Sequence, residues 1–417
     1  MASVSLVLRQ VHGLLARQAS RFEHRILLAW MWYVAALVVV PTRRTTLRMG
    51  RLVPGCPTDR FGIGRVLNNS GLAARELLKL LGHRRLAKAL AHKPQRRLWV
   101  LLDTTNLHRY GKHMEAAFRF KDNTTRGYIV GHRVVVCIAV VGKTIVPLGS
   151  RLFVREADAR KLGVKYKSQI DLAQELVEAL PSFDGVRVDV VADGFFFCAQ
   201  LVRRCRELGY HFTSRARTNQ KVTGPGAGRP GPLGEKMKKA FARRQARPVT
   251  ATVRERKRTF LTVQRQHNFR RMGPINVVYS RERYKRRDPV ALVTTDLKAT
   301  AREVIEAIGV RWAIEMFFRT CKWDLGMGHY QGRHWEGVDQ HLQLVLVAHL
   351  LLSHAGDTTR PAVGKPIKGE TLSGLRLLKA GRGLLHDALV SDLLRGTRTR
   401  RQAEEALRNT FRLERAA

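Results

Sequence analysis

Two short apolar runs, each closed by an aspartate, restrict this chain more than any other feature. LWVLLD spans Leu98 to Asp103, and VRVDVVAD spans Val186 to Asp193. Runs this short and this rich in Val and Leu suit strands buried on both faces, as at the centre of a sheet covered by helices. Around them the pattern gives a hairpin, Val134–Val141 and Thr144–Phe153, parted by Gly142-Lys143. Helices are expected over 168–180 and 196–208, with a further strand over 210–214. Three strands followed by helix, strand, helix and strand predict a mixed α/β sheet with helices on its faces. As parallel neighbours the two runs would lie about 4.8 Å apart. Their aspartates would then project together at the carboxyl end of the sheet, the usual place for a site in an open α/β fold. A lone aspartate after an apolar strand is ordinarily the first polar residue of a loop, so the pair needs a third partner.

Glu315 supplies it. It sits in IGVRWAIEMFFRTCK, Ile308 to Lys322, which reads as one helix advancing about 100° per residue. Ile308, Arg311, Arg319 and Lys322 then fall within about 40° of Glu315. Val310, Ala313, Ile314, Phe317 and Cys321 gather on the opposite side as a docking stripe, flanked by Trp312 and Phe318. On its own the stripe is an amphipathic helix whose acid pairs with Arg311 and Arg319 at i±4.

Residues 1–95 read as a helical, basic, DNA-binding region. Ile26–Val40 is a buried helix, shorter than the roughly 20 residues that cross a membrane. Gly71–Leu90 reads as two short helices broken near Gly82, equally a helix-turn-helix reader of DNA or a plain bundle. Residues 96–217 form the first part of the sheet core. Residues 218–289 open with a proline-broken, glycine-rich linker, Gly224–Gly234, and read as a β-rich basic insertion. The core resumes over 290–360, with PVALVTTDL, the Glu315 helix and a strongly apolar helix over 340–353. Residues 361–417 form a basic helical C-terminal region after a short linker.

The chain carries 76 Lys and Arg against 33 Asp and Glu, a net charge of +43. Basic residues run along the whole length. Such a chain repels itself without a polyanion, and double-stranded DNA is the expected partner, with anionic membrane the weaker rival. Five cysteines, Cys56, Cys137, Cys198, Cys205 and Cys321, form no C-x-x-C pair. Neither a disulfide framework nor a zinc site is expected, which fits a reducing cytoplasm. No Walker-A loop, G-x-S-x-G elbow or H-E-x-x-H is present, so nucleotide hydrolysis, acyl transfer and zinc proteolysis have no foothold.

Three carboxylates at one point have a specific use: holding two divalent ions for an in-line phosphodiester displacement. Magnesium prefers oxygen ligands and keeps several waters, so a few carboxylates suffice. Arg311, Arg319 and Lys322 would hold phosphates nearby, and Trp312 could stack on an unpaired base. Asp189, Asp296 and Asp324 rank below the chosen acids. His113, His132 and His329 read as phosphate or surface contacts in preference to metal ligands.

The run Arg311, three residues, Glu315, six residues, Lys322 resembles the C-terminal signature of bacterial insertion-sequence transposases of the DDE class. IGVRWAIEMFFRTCKWDLGM is especially similar to the group with a β-strand insertion before the final glutamate. Asp103 in LLDTT and Asp193 in VADGFF fall where that family has its metal-binding aspartates, and the resemblance covers about 96–350. It implies an RNase H-like fold with a five-stranded mixed sheet. It also implies cleavage at the element's inverted ends and transfer of the 3′-hydroxyls to target DNA with two Mg²⁺ or Mn²⁺ ions. A homodimer on paired ends is implied too, with Arg311 and Lys322 on the DNA backbone. The family signature begins with a tyrosine where this chain has Ile308, which cannot donate a hydrogen bond to phosphate. A silent DNA-binding derivative and a structure-selective nuclease on the same fold are the alternatives, with a membrane-associated basic protein behind them.

Overall fold

The computed structural model describes residues 23–40, 43–52, 60–69, 73–91, 97–111, 113–122, 127–224, 230–284, 288–330 and 332–358. Cys56, residues 1–22 and the expected C-terminal region 361–417 lie outside them. So do residues 225–229 of the expected linker.

The amino-terminal half of the described chain opens with four helices, α1 (His24–Val39), α2 (Thr46–Leu52), α3 (Arg60–Asn69) and α4 (Ala73–Ala91). Four strands follow: β1 (Arg97–His108), β2 (Phe118–Lys121), β3 (Tyr128–Val141) and β4 (Thr144–Phe153). Helices α5 (Glu156–Leu162) and α6 (Gln169–Glu178), strand β5 (Arg187–Ala192), helix α7 (Ala199–Glu207) and strand β6 (His211–Ala216) complete the first part of the core. The start of α6 is set locally: the Ser168 hydroxyl accepts the Asp171 amide while the Asp171 carboxylate accepts the Ser168 amide.

Leu98, Val100, Leu101 and Leu102 of β1 are all fully buried, as a central strand covered on both faces requires. On one edge β1 runs antiparallel to β3, which carries β4 in turn; on the other it runs parallel to β5, which runs parallel to β6. The sheet does not stop at these five strands. Strands β7 (Lys221–Thr223) and β8 (Gly231–Pro232), helix α8 (Leu233–Ala242), and strands β9 (Arg247–Val253), β10 (Arg256–Phe269), β11 (Gly273–Glu282) and β12 (Val290–Thr294) continue from β6. Because β12 pairs with β6 on one edge and β11 on the other, residues 218–289 extend the same hydrogen-bonded sheet. Among the described residues it reaches twelve strands, in the order β2-β3-β1-β5-β6-β12-β11-β10-β7-β8, with β4 on β3 and β9 on β10.

After the sheet come α9 (Ala301–Val310), α10 (Trp312–Arg319), a π-helical turn (Thr320–Asp324) and α11 (Trp335–Thr358). Helix α11 is the hub of the helical layer, packing on α1, α3, α4 and β4. Helix α1 buries Trp30, Tyr33, Ala36 and Leu37 in that layer, and among the described residues no helix is long and apolar enough to cross a membrane.

Residues 73–91 form one helix, not two broken at Gly82. Gly82 is buried in mid-helix, and a Cβ there would stand 3.0 Å from the Pro147 carbonyl oxygen of β4. The glycine is a point of close approach between helix and strand, and of the two readings of this stretch the helix-turn-helix broken at Gly82 is the one that the single helix does not form.

Candidate active site

Strands β1 and β5 pair in parallel up to Leu102 and Ala192, so the next residues in register are Asp103 and Asp193. The two strands end differently. Strand β5 stops at Ala192, and the chain turns away through Gly194, where a Cβ would lie 3.0 Å from the Arg215 carbonyl oxygen of β6. Strand β1 continues five residues beyond Asp103, paired with β3 as far as His108. The polar residues Thr104–His108 are thus strand, because β3 is long enough to satisfy one of their edges. Asp103 sits where β1 loses its second neighbour, facing a gap that the Glu315 segment fills.

That segment is not one straight helix. Helix α9 starts at a capping box between Thr300 and Glu303 and ends at Val310. Arg311 forms the joint, with its amide bonded to the Ile308 carbonyl and its own carbonyl accepting the Ile314 amide, both spaced by three residues. These tighter bonds interrupt the α-helical ladder for one residue before α10 begins at Trp312, and Arg311 itself stays right-handed helical with φ −55° and ψ −23°. Ile308 packs against both the main core and the smaller cluster formed by α9 and strands β9, β11 and β12. An apolar residue at this position thus serves packing. Ile314, Phe317 and Cys321 are buried, as the apolar stripe requires. The π turn then shifts the helical phase, and Lys322 leaves the stripe. It is half-buried near Asp122; burial pulls its ammonium pKa down and Asp122 partly restores it.

At the centre stands the Arg311 guanidinium. One terminal nitrogen is 2.9 Å from Asp103 Oδ2, and the other is 3.5 Å from Glu315 Oε1. The Thr104 amide donates to Asp103 Oδ1 at 2.8 Å. Side-chain exposure is 17% for Asp103, 24% for Arg311 and 40% for Glu315; Asp193 is exposed. Burial pushes the Asp103 carboxyl pKa up, Arg311 and the Thr104 amide pull it down, and the charges of Asp193 and Glu315 push it up again. Asp193 and Glu315 therefore lie within electrostatic reach of Asp103, and one guanidinium bridges Asp103 and Glu315.

The four residues expected to contact DNA are dispersed. Arg311 is engaged with the carboxylates, Arg319 is exposed at the end of α10, Lys322 lies beside Asp122, and Trp312 is covered. The cover is Arg254, whose guanidinium carbon sits 3.7 Å from the Trp312 ring centroid. Arg254 lies at the tip of the β9–β10 hairpin, so the insertion delivers a cation to the first turn of α10. No local signal in the sequence marks it, since the contact joins segments 58 positions apart.

The lower-ranked acids lie elsewhere. Asp189 pairs with Trp99, four residues back along β1 and β5 from the candidate site. It is bound by Arg97 at 2.7 Å and Arg187 at 2.9 Å, and Arg187 reaches on to Asp296 at 2.7 Å. This network neutralises both acids and ties β5 to the end of β12. Asp324 presents its backbone carbonyl to the buried Arg44. His132 is neither a surface nor a phosphate contact: it is fully buried, accepts from Arg109 Nε at 2.9 Å, and bonds the Glu115 carbonyl at 2.8 Å. His329 accepts the Arg44 amide, while His113 is exposed. Cys137, Cys198, Cys205 and Cys321 are free thiols.

The donor set suits a hard divalent cation, since Asp103, Asp193 and Glu315 offer only carboxylate oxygens. Among the described residues, however, no three His, Cys, Asp or Glu side chains stand close enough to share one ion. Between two of the three, Asp103 and Glu315, lies the Arg311 fork.

Residues 161–351 match the family model described as the transposase DDE domain. That match supports a DDE transposase family. It also supports transposase function in general, a DNA-cleaving and DNA-transferring enzyme, and DNA as the partner. The matched interval contains Asp193, Glu315 and the strands of residues 218–289, and begins after Asp103. Among curated proteins none matches the sequence.

Proposed function

We propose that this chain is an insertion-sequence transposase that cuts at the inverted ends of its element and transfers the 3′-hydroxyl ends into target DNA. The observation that carries the reading is the Arg311 guanidinium bridging Asp103 and Glu315 where β1 and β5 part and α10 begins, with Asp193 next in register after β5. The resemblance adds an RNase H-like core, a homodimer in the synaptic complex and action on nucleoid DNA in the bacterial cytoplasm.

Asp103, Asp193 and Glu315 would hold two Mg²⁺ or Mn²⁺ ions, which supply a deprotonated attacking oxygen and charge neutralisation at the leaving oxygen. The residues of the chain do the rest. Asp103 is fixed by the Thr104 amide on a strand whose position is set by two neighbours, so its carboxylate is preorganised. Glu315 sits on a helix anchored by Ile314 and Phe317 and can adjust its reach. Arg311, Arg319 and Lys322 would hold the backbone phosphates on either side of the cut.

The deciding experiment is cleavage of DNA carrying the gene's own flanking ends, with Mg²⁺ and with EDTA, for wild type and Glu315→Ala. Metal-dependent nicks at the element boundary, lost in the variant while DNA affinity stays within about twofold, are the expected outcome, because one remote carboxylate adds little to phosphate binding. Cleavage retained by Glu315→Ala would remove the carboxylate assignment. Tight binding without cleavage by wild type, in Mn²⁺ as well, would leave a silent DNA-binding derivative.

A further inference from the structure

Arg311 performs two tasks that exclude one another. Its guanidinium bridges Asp103 and Glu315 at 2.9 and 3.5 Å, and a divalent ion bound by the same oxygens would have to replace it. The site as it stands is therefore held together by a monovalent, planar cation. The fork of a guanidinium fits a carboxylate, and it fits a phosphate equally well. Arg311 lies at the joint between α9 and α10, where its main-chain bonds to Ile308 and Ile314 do not involve the side chain. The side chain can leave without unwinding either helix. Once it leaves, Asp103 and Glu315 lose their shared counter-charge while the charge of Asp193 still acts on Asp103, which raises the demand for a cation.

Resting on the reading of the three carboxylates as the metal site, we propose that Arg311 is an internal counter-cation that withholds the site from divalent ions until a DNA phosphate takes its guanidinium. Metal loading and DNA binding are then coupled through one side chain, and by linkage each tightens the other. The consequence is economical: a chain with net charge +43 meets nucleic acid constantly, and the ions gather only where a phosphate has engaged Arg311.

The test is calorimetric titration of Mn²⁺ into the full chain, alone and with a saturating duplex that carries the element's end. Wild type, Arg311→Gln, Arg311→Lys and Asp103→Asn are compared, with thermal melts to show that each is folded. Wild type should bind Mn²⁺ weakly alone and about tenfold more tightly on the duplex, within the range of ordinary coupling free energies. Arg311→Gln should reach that tighter affinity without DNA, and the duplex should then add less than about threefold. Arg311→Lys keeps the charge but loses the fork and should fall between, which preserves the test if the glutamine variant does not fold. Mn²⁺ affinity of Arg311→Gln equal to or weaker than wild type, with the duplex effect intact, would overturn the proposal. Asp103→Asn separates the two ideas. If it binds Mn²⁺ as wild type does, the carboxylate site itself is misassigned; if it loses the ion while Arg311→Gln behaves as wild type, only the role of Arg311 fails.

Discussion

Arg254 and Glu255 turn the β9–β10 hairpin with φ values of 54° and 61°, a pair of left-handed residues where Asn-Gly would be the ordinary choice. Side chains with a Cβ resist that conformation, so the turn is strained, and the stack of Arg254 on Trp312 offsets part of the strain. A cation over a partly exposed indole such as Trp312 contributes about 0.5–1 kcal/mol. Urea unfolding of Arg254→Ala, Trp312→Ala and the double variant should therefore return a coupling energy of that size. A coupling near zero would mean that the two groups merely meet. The contrast with Asp103 and Glu315 shows what a sequence discloses at this scale. The acids declare themselves because each follows a periodic apolar pattern that fixes which way it points. Arg254 and Asp122 do not, because each reaches the site from a distant segment whose pairing is set by tertiary contacts alone.

At the scale of elements, the central strands were legible because burial on both faces leaves a continuous apolar run, and β1 and β5 sit beside each other as that pattern implies. The strands of residues 218–289 were legible as strands. Their merging with the main sheet was not, since the pairing of β11 with β12 and of β12 with β6 depends on edges that no local pattern records. Two helical segments, 73–91 and 308–322, depart from their sequence patterns in opposite ways, the first running through its glycine and the second interrupted at Arg311. Gly82 looked like a break and is a contact; Arg311 looked like mid-helix and is a joint. The first departure has a measurable counterpart. Glycine to alanine inside an exposed helix ordinarily stabilises by about 1 kcal/mol. At Gly82 the new methyl would stand 3.0 Å from a backbone oxygen of β4, and overpacking of this kind costs about 1–3 kcal/mol. Gly82→Ala should therefore lower the urea midpoint with an unchanged slope. A raised midpoint would show that α4 can slide away from β4.

Across the whole molecule, a chain with so large an excess of positive charge holds four buried or half-buried histidines neutral. His132 is pushed down to about 4 by burial and then by Arg109. Burial followed by Arg44, Arg43 and Arg109 holds His329 at about 4. His341, fully buried between Tyr33 and the Gly326 carbonyl, is lowered to about 3, and His349, packed on Phe317 behind the Glu315 helix, to about 4. In the unfolded chain all four titrate near 6.5. Below that pH the unfolded state binds more protons than the folded one, so stability is full above about 6.5 and is lost as pH falls toward the folded values. His132, His341 and His349, which are enclosed, each contribute a slope approaching about 1.4 kcal/mol per pH unit in that window and together about 4, and half-buried His329 adds less because solvent screens it. Urea unfolding at pH 7.5, 6.5 and 5.5 should show a loss of about 1 kcal/mol over the first step and about 3 kcal/mol over the second. Equal stability at 7.5 and 5.5 would mean that these rings take up protons in place, which the burial of Arg44 and Arg109 beside them opposes. Because His349 supports Phe317, and Phe317 carries the helix of Glu315, the same titration should loosen the candidate site as it loosens the core.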